Sequence, residues 1–116
     1  MSTDARALLE ALRVSAAARL DETRAALDEL AQARAGANDD DEHDPEGVPL
    51  SAEWSRLAGL SDAAAAKLRQ IDDALARLDA GIYGICARCG DPIPPARLEA
   101  RPFAEHCVAC AEVLGL

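Results

Sequence analysis

Four cysteines fall within one run of the chain, CARCGDPIPPARLEARPFAEHCVAC, as Cys86, Cys89, Cys107 and Cys110. The spacing C-x2-C-x17-C-x2-C is that of a four-thiolate zinc site, in which each C-x-x-C turn offers two sulfurs to one tetrahedral ion. Four protein thiolates leave no open coordination position, so a zinc ion held this way is structural rather than catalytic. Gly90, directly after Cys89, permits the tight turn of such a knuckle. Zinc binding is worth on the order of 10 to 16 kcal/mol in finger peptides, enough to order about 30 residues that have little apolar core of their own. A disulfide or a redox pair is the competing reading. It fits poorly, because no alternation of strand and helix of the thioredoxin kind surrounds either pair. His106 stands beside Cys107, but a complete cysteine set leaves it no ligand position.

An ion with four thiolates carries a net charge of about −2. Arg88, Arg97 and Arg101 lie in the same segment and are expected to offset that charge and to donate N–H groups to the cluster.

The elements that must carry this head are helical. No Pro or Gly occurs between Ser2 and Ala35, and Leu9, Leu12, Ala16, Leu20, Leu27 and Leu30 recur in steps of three and four, with Thr23 filling the polar seam position. Gly36 and Asn38 are expected to stop this helix. The second segment opens with Ser51 as N-cap and runs to Ala80 before Gly81. Its seam is Trp54, Leu57, Ser61, Ala64, Leu68, Ile71, Leu75 and Leu78, and Gly59 is its weak point. Two helices of about 30 residues joined by a loop predict an antiparallel coiled-coil hairpin about 45 Å long at 1.5 Å per residue. The expected fold is therefore all-α: residues 1–80 as a long antiparallel coiled-coil hairpin with a tip loop at 36–50, and residues 81–116 as a small four-Cys zinc-finger head with a short C-terminal helix.

That loop is the most charged part of the chain. Residues 36–50 hold six acids and no base, so they supply six of the nine net negative charges. Affinity for phosphate backbones rests on Lys and Arg, and neither the loop nor the head has a basic excess, which excludes an independent, sequence-specific DNA binder. A basic or metal-bearing protein surface is the better partner. The opening MSTDARALLEALRV is neither a signal peptide nor a membrane span, which predicts a cytoplasmic protein with no membrane partner, where thiols stay reduced.

From Gly81 to Cys110 the run GIYGICARCGDPIPPARLEARPFAEHCVAC resembles the DksA/TraR family of bacterial transcription regulators. The likeness rests on Gly81, Tyr83 and Gly84, on Cys86, Cys89 and Gly90, on Ile93, Arg97, Leu98, Ala100 and Pro102, and on Cys107 and Cys110. It implies a coiled coil that enters the secondary channel of RNA polymerase and modulates initiation through an acidic tip, without binding promoter DNA. The family's tip pattern, Asp-x-x-Asp-x-Ala, falls in one register on Asp41, Asp44 and Glu46, and in another on Asp44, Gly47 and Pro49. The resemblance also places Arg101 where responsive members contact guanosine tetraphosphate, while Gln70 and Ala111 stand where others are basic. Weak or absent dependence on that nucleotide is the expectation.

The alternative is a zinc-headed coiled-coil interaction module that docks elsewhere and does not modulate polymerase, since fold alone does not fix function. An enzyme is not expected: the zinc shell is closed and no nucleophile and base pair has a motif around it. His43 among its acidic neighbours lacks the ligand and Gly spacing of a calcium loop and reads as a solvated side chain.

Overall fold

The structure is a computed structural model and describes residues 2–40 and 47–116. Four helices account for most of it: α1 (Ser2–Asp40), α2 (Gly47–Asp79), α3 (Pro95–Ala100) and α4 (Val108–Leu114). Among the described residues there is no strand, only an isolated antiparallel bridge between Ile85 and Pro92. The all-α expectation, two long helices followed by a four-cysteine segment and a short last helix, is what is found.

The chain divides into two packed units, one of Met1–Val14 with Leu68–Leu116 and the other Ser15–Lys67. In the first, the beginning of α1 lies along the end of α2. Arg6 reaches Asp79 at 2.7 Å and Arg13 reaches Asp72 at 2.6 Å. A step of seven forward on α1 is thus a step of seven backward on α2, which makes the pair antiparallel and fixes its register. Both pairs are solvent-exposed, where an ion pair contributes about 0–1 kcal/mol, so they report alignment more than they stabilise it. Leu9, Ile71 and Ala74 are completely buried here.

In the second unit Ala16, Leu20 and Thr23 of α1 and Leu57 and Ala64 of α2 are buried. The Thr23 hydroxyl donates to the carbonyls of Arg19 and Leu20, 3.0 Å from each. A polar group at a seam position is thereby satisfied within its own helix and needs no partner across the interface. Near the end of α1 the Arg34 guanidinium lies 6.0 Å from the centre of the Trp54 ring, a cation–π contact between the helices.

Every predicted seam position is buried or half-buried, as steps of three and four require. The helix ends differ from expectation. Helix α1 runs through Gly36 and Asn38 to Asp40, and α2 starts at Gly47, before Ser51. A single helical Gly costs about 1 kcal/mol, too little by itself to end a long helix. Pro49 falls in the first turn of α2, where its missing N–H forfeits no intrahelical bond. The connection assigned to 36–50 is correspondingly shorter, and the tip candidates Asp41, Asp44 and Glu46, with His43, lie outside the described residues.

Two stability changes follow. Ile71→Ala should destabilise the fold by about 2–5 kcal/mol, because a fully buried branched side chain leaves a cavity. Gly59 is helical and a Cβ built on it meets nothing within 4 Å, so Gly59→Ala should stabilise by about 1 kcal/mol. Chemical denaturation of the zinc-loaded chain checks both, and a sign reversal at Gly59 would refute the open-space reading.

Candidate metal centre

The head begins where α2 is stopped. Gly81 takes a left-handed conformation at φ 75°, and the N–H groups of Gly81 and Ile82 close back on the carbonyls of Leu78 and Arg77 at 3.1 and 2.9 Å. This double closure is a Schellman cap, and it needs a residue without Cβ at the left-handed position.

The chain then makes a short hairpin. Ile93 N–H donates to Gly84 O at 2.7 Å and Cys86 N–H to Asp91 O at 2.8 Å, while Gly90, at φ 78°, returns its N–H to Cys86 O at 2.9 Å. These bonds bend the backbone around Cys86 and Cys89 into the first knuckle. Helix α3 starts with Pro95 in its first turn, a position where the missing N–H costs nothing. Leu98 packs back on the hairpin, its Cδ1 3.4 Å from where a Cβ on Gly84 would lie.

Between α3 and α4 the chain is fastened at four points. Tyr83 Oη donates to Pro102 O at 2.7 Å, Arg97 Nε to His106 O at 2.7 Å, and Ala87 N–H to Glu105 O at 2.8 Å. Arg77, on the last turn of α2, donates to the Glu105 carboxylate at 2.7 Å and to Phe103 O at 3.3 Å. The segment so held delivers Cys107 as the N-cap of α4 and Cys110 into its first turn.

The four sulfurs lie within 4.8 Å of one another, and Cys89 Sγ is 4.0 Å from Cys107 Sγ. Sulfurs bound at about 2.3 Å to one tetrahedral ion stand about 3.8 Å apart, so the cluster fits zinc with only a small contraction. Cys86 and Cys110 are buried, Cys107 is half-buried and Cys89 is exposed. Among the described residues no carboxylate or imidazole joins the cluster. His106 contributes its backbone carbonyl to Arg97 and no ligand atom.

The thiols do not ionise alike. The backbone N–H of Cys89, aimed at the Cys86 sulfur, is the main cause that brings Cys86 down to about 5. Cys89 is lowered by the backbone N–H of Asp91, but the neighbouring Cys86 sulfur and burial outweigh this and push it up to about 12. Cys110 is drawn down by Arg88 but raised overall by the sulfur of Cys107 and by burial. Adjacent thiolates without a cation repel, and a dication removes that penalty. The donor set therefore calls for a metal ion of zinc's softness and charge.

Of the three arginines expected to serve the cluster, one does. Arg88 Nη1 lies 3.5 Å from Cys110 Sγ. Arg97 is spent on His106 O. Arg101 is exposed at the C-cap of α3, and its side chain makes no hydrogen bond among the described residues. Arg77 and Glu105 were not singled out in the sequence. The one available signal was a basic residue in the last turn before a capping Gly, a place that favours cations in any helix.

Comparison with known proteins places these features. Residues 81–114 match the prokaryotic dksA/traR C4-type zinc finger. An uncharacterised protein of Aquifex aeolicus is 50% identical over 56 residues, which are 48% of this chain and 39% of that protein. The RNA polymerase-binding transcription factor DksA of Caulobacter vibrioides is 49% identical over 45 residues, 39% of this chain and 32% of its own. The chain thus spans about a third of the length of the curated relatives it matches. The structure of transcription factor DksA2 from Pseudomonas aeruginosa superposes with a TM-score of 0.80 at 26% identity, covering 98% of this chain and 82% of that one. Both of these named proteins are transcription factors.

The full chain should bind one zinc ion, and Cys86→Ser or Cys110→Ser should remove it. Stripping the metal with a strong chelator should expose the backbone amides of residues 84–116 to exchange while the middle of α1 and α2 stays protected. Metal analysis and hydrogen exchange read the two outcomes, and a head that stays protected without metal would refute a zinc-built core.

Proposed function

We propose that this chain, whose residues 81–114 match the dksA/traR zinc finger, is a transcription regulator of that family that binds RNA polymerase, enters the secondary channel with its coiled coil and modulates initiation through its acidic tip. The observation that carries this reading is the combination of a matched zinc finger at 81–114 with two long antiparallel helices that superpose on DksA2 along nearly the whole chain. The charge distribution supports it, since six of nine net negative charges lie in residues 36–50, where α1 passes to α2. Asp41, Asp44 and Glu46 are the proposed effector residues.

The division of labour is then between residues 1–80, which carry the tip, and residues 81–116, whose zinc is structural. No DNA contact is part of the proposal, because the charge balance disfavours one. Nor is catalysis, because a four-thiolate shell leaves zinc no open position. Among the described residues no helix is long and apolar enough to cross a membrane, which accords with a cytoplasmic regulator. Guanosine tetraphosphate is given at most a weak role. Arg101 is exposed, but Gln70 offers no charge and Ala111 is buried, so two of the positions that are basic in responsive members supply no cation.

Asp41→Asn with Asp44→Asn should leave zinc content and polymerase binding unchanged and abolish the effect on initiation. A polymerase pull-down and a purified transcription assay separate docking from tip chemistry. Undiminished regulation by the double variant would sink the tip assignment, and failure of the wild-type chain to bind polymerase would sink the reading as a whole.

A further inference from the structure

The two knuckles of the metal centre are tied in different ways. The first closes through its own backbone, Cys86 N–H donating to Asp91 O at 2.8 Å and Gly90 N–H to Cys86 O at 2.9 Å. Such bonds come with the turn and are largely independent of which side chains stand there. Cys110 sits in the first turn of α4, on the second knuckle, and it is met by the side chain of Arg88 at 3.5 Å. Arg88 itself lies between Cys86 and Cys89. It therefore reaches from one knuckle to a ligand on the other, and it is the one arginine side chain that donates to a ligand sulfur among the described residues.

Two physical consequences follow from that placement. A zinc ion with four thiolates leaves about −2 on the cluster, and a guanidinium at hydrogen-bond distance offsets part of it more strongly than a distant surface charge. A donor to a coordinated sulfur also stabilises the thiolate against protonation, which helps it stay on the metal, and draws electron density from it, which lowers its tendency to attack an electrophile. Cys110 and Cys86 are buried together with Ile93, so loosening Cys110 would open the centre of the head.

We propose that Arg88 is a positioning residue of the zinc site, a charge-assisted donor that ties the two knuckles together through Cys110, holds the metal in place and keeps this thiolate unreactive. The guanidinium touches a ligand and not the ion. Its contribution should therefore appear in metal retention and thiolate reactivity, with the fold of the loaded protein unchanged. Partners of metal ligands are commonly worth about 10- to 100-fold in metal affinity.

The test uses the full-length zinc-loaded chain, with Arg88→Met removing charge and donors at similar length and Arg88→Lys keeping the charge. Zinc transfer to a chromophoric chelator gives relative affinity and release rate, and mass spectrometry after timed iodoacetamide treatment gives the alkylation of each cysteine. The expected result is at least tenfold weaker zinc retention and faster Cys110 alkylation in Arg88→Met, with Arg88→Lys recovering much of both. Wild-type retention in Arg88→Met would overturn the proposal. So would an equal loss in both variants, which would mark Arg88 as packing rather than charge. Circular dichroism of each loaded variant shows that the helices are intact. The wild-type zinc content is measured alongside, so a failure of Arg88 is not confused with a failure of the metal site.

Discussion

The gathering of four sulfurs is the constraint on which the head depends. Its buried cluster consists of Cys86, Ile93 and Cys110, with Leu98 and Cys107 packed against it. Three of those five residues are ligands, so coordination and core formation are here one process. A segment this short, with one Tyr and one Phe, cannot bury enough apolar surface to offset the conformational entropy of its loops. A structural zinc ion, worth on the order of 10 kcal/mol, supplies what the missing core would have. This also explains the tolerance for turns: Gly81, Gly84 and Gly90 all sit at positive φ within ten residues, a density of bends that a hydrophobic cluster alone would hold poorly.

From the metal centre the order is handed to the helices through a short series of polar contacts within one packed unit. Ala87, inside the first knuckle, bonds the backbone of Glu105, and the Glu105 side chain is held by Arg77 on α2. Arg77 is only 13% exposed, whereas its carboxylate partner is 42% exposed, so the guanidinium is the buried member and its second bond to Phe103 O offsets part of its desolvation. Two residues further along α2, Asp79 takes Arg6 of α1. The antiparallel pairing of the helices and the closure of the knuckles thus meet at one helix end. Ala74, completely buried, belongs to the same packed unit.

How much of this the sequence discloses follows from which interactions are periodic. The seams could be read because a buried stripe must recur every three or four residues, and all the positions so identified are turned inward. The cysteines could be read because tetrahedral coordination constrains their spacing. Ala74 lies on the same stripe, three residues after Ile71 and four before Leu78, but in an Ala-rich helix a small side chain carries no signal of its own. Arg77 and Glu105 are 28 residues apart, and no local rule pairs them. The helix ends were misplaced for a different reason. Gly36, Asn38 and Ser51 carry genuine stop and start signals, but each is worth only about 1 kcal/mol, a small bias against a long helix that propagates cooperatively.

The charges divide along the same line between what the fold uses and what it does not. On the paired helices three acids are held by bases: Asp72 and Asp79 by arginines of α1, and Glu53 by Arg56 three residues on. In the head Glu105 is answered by Arg77, and the thiolates by their metal and by Arg88. Residues 36–50 have no base at all. Folding gains nothing from six like charges in so short a stretch, whose mutual repulsion disfavours compaction at low salt and is relieved only by counterions or by an external cation. A stretch with that excess of one sign is electrostatically complementary to a cationic or metal-bearing surface.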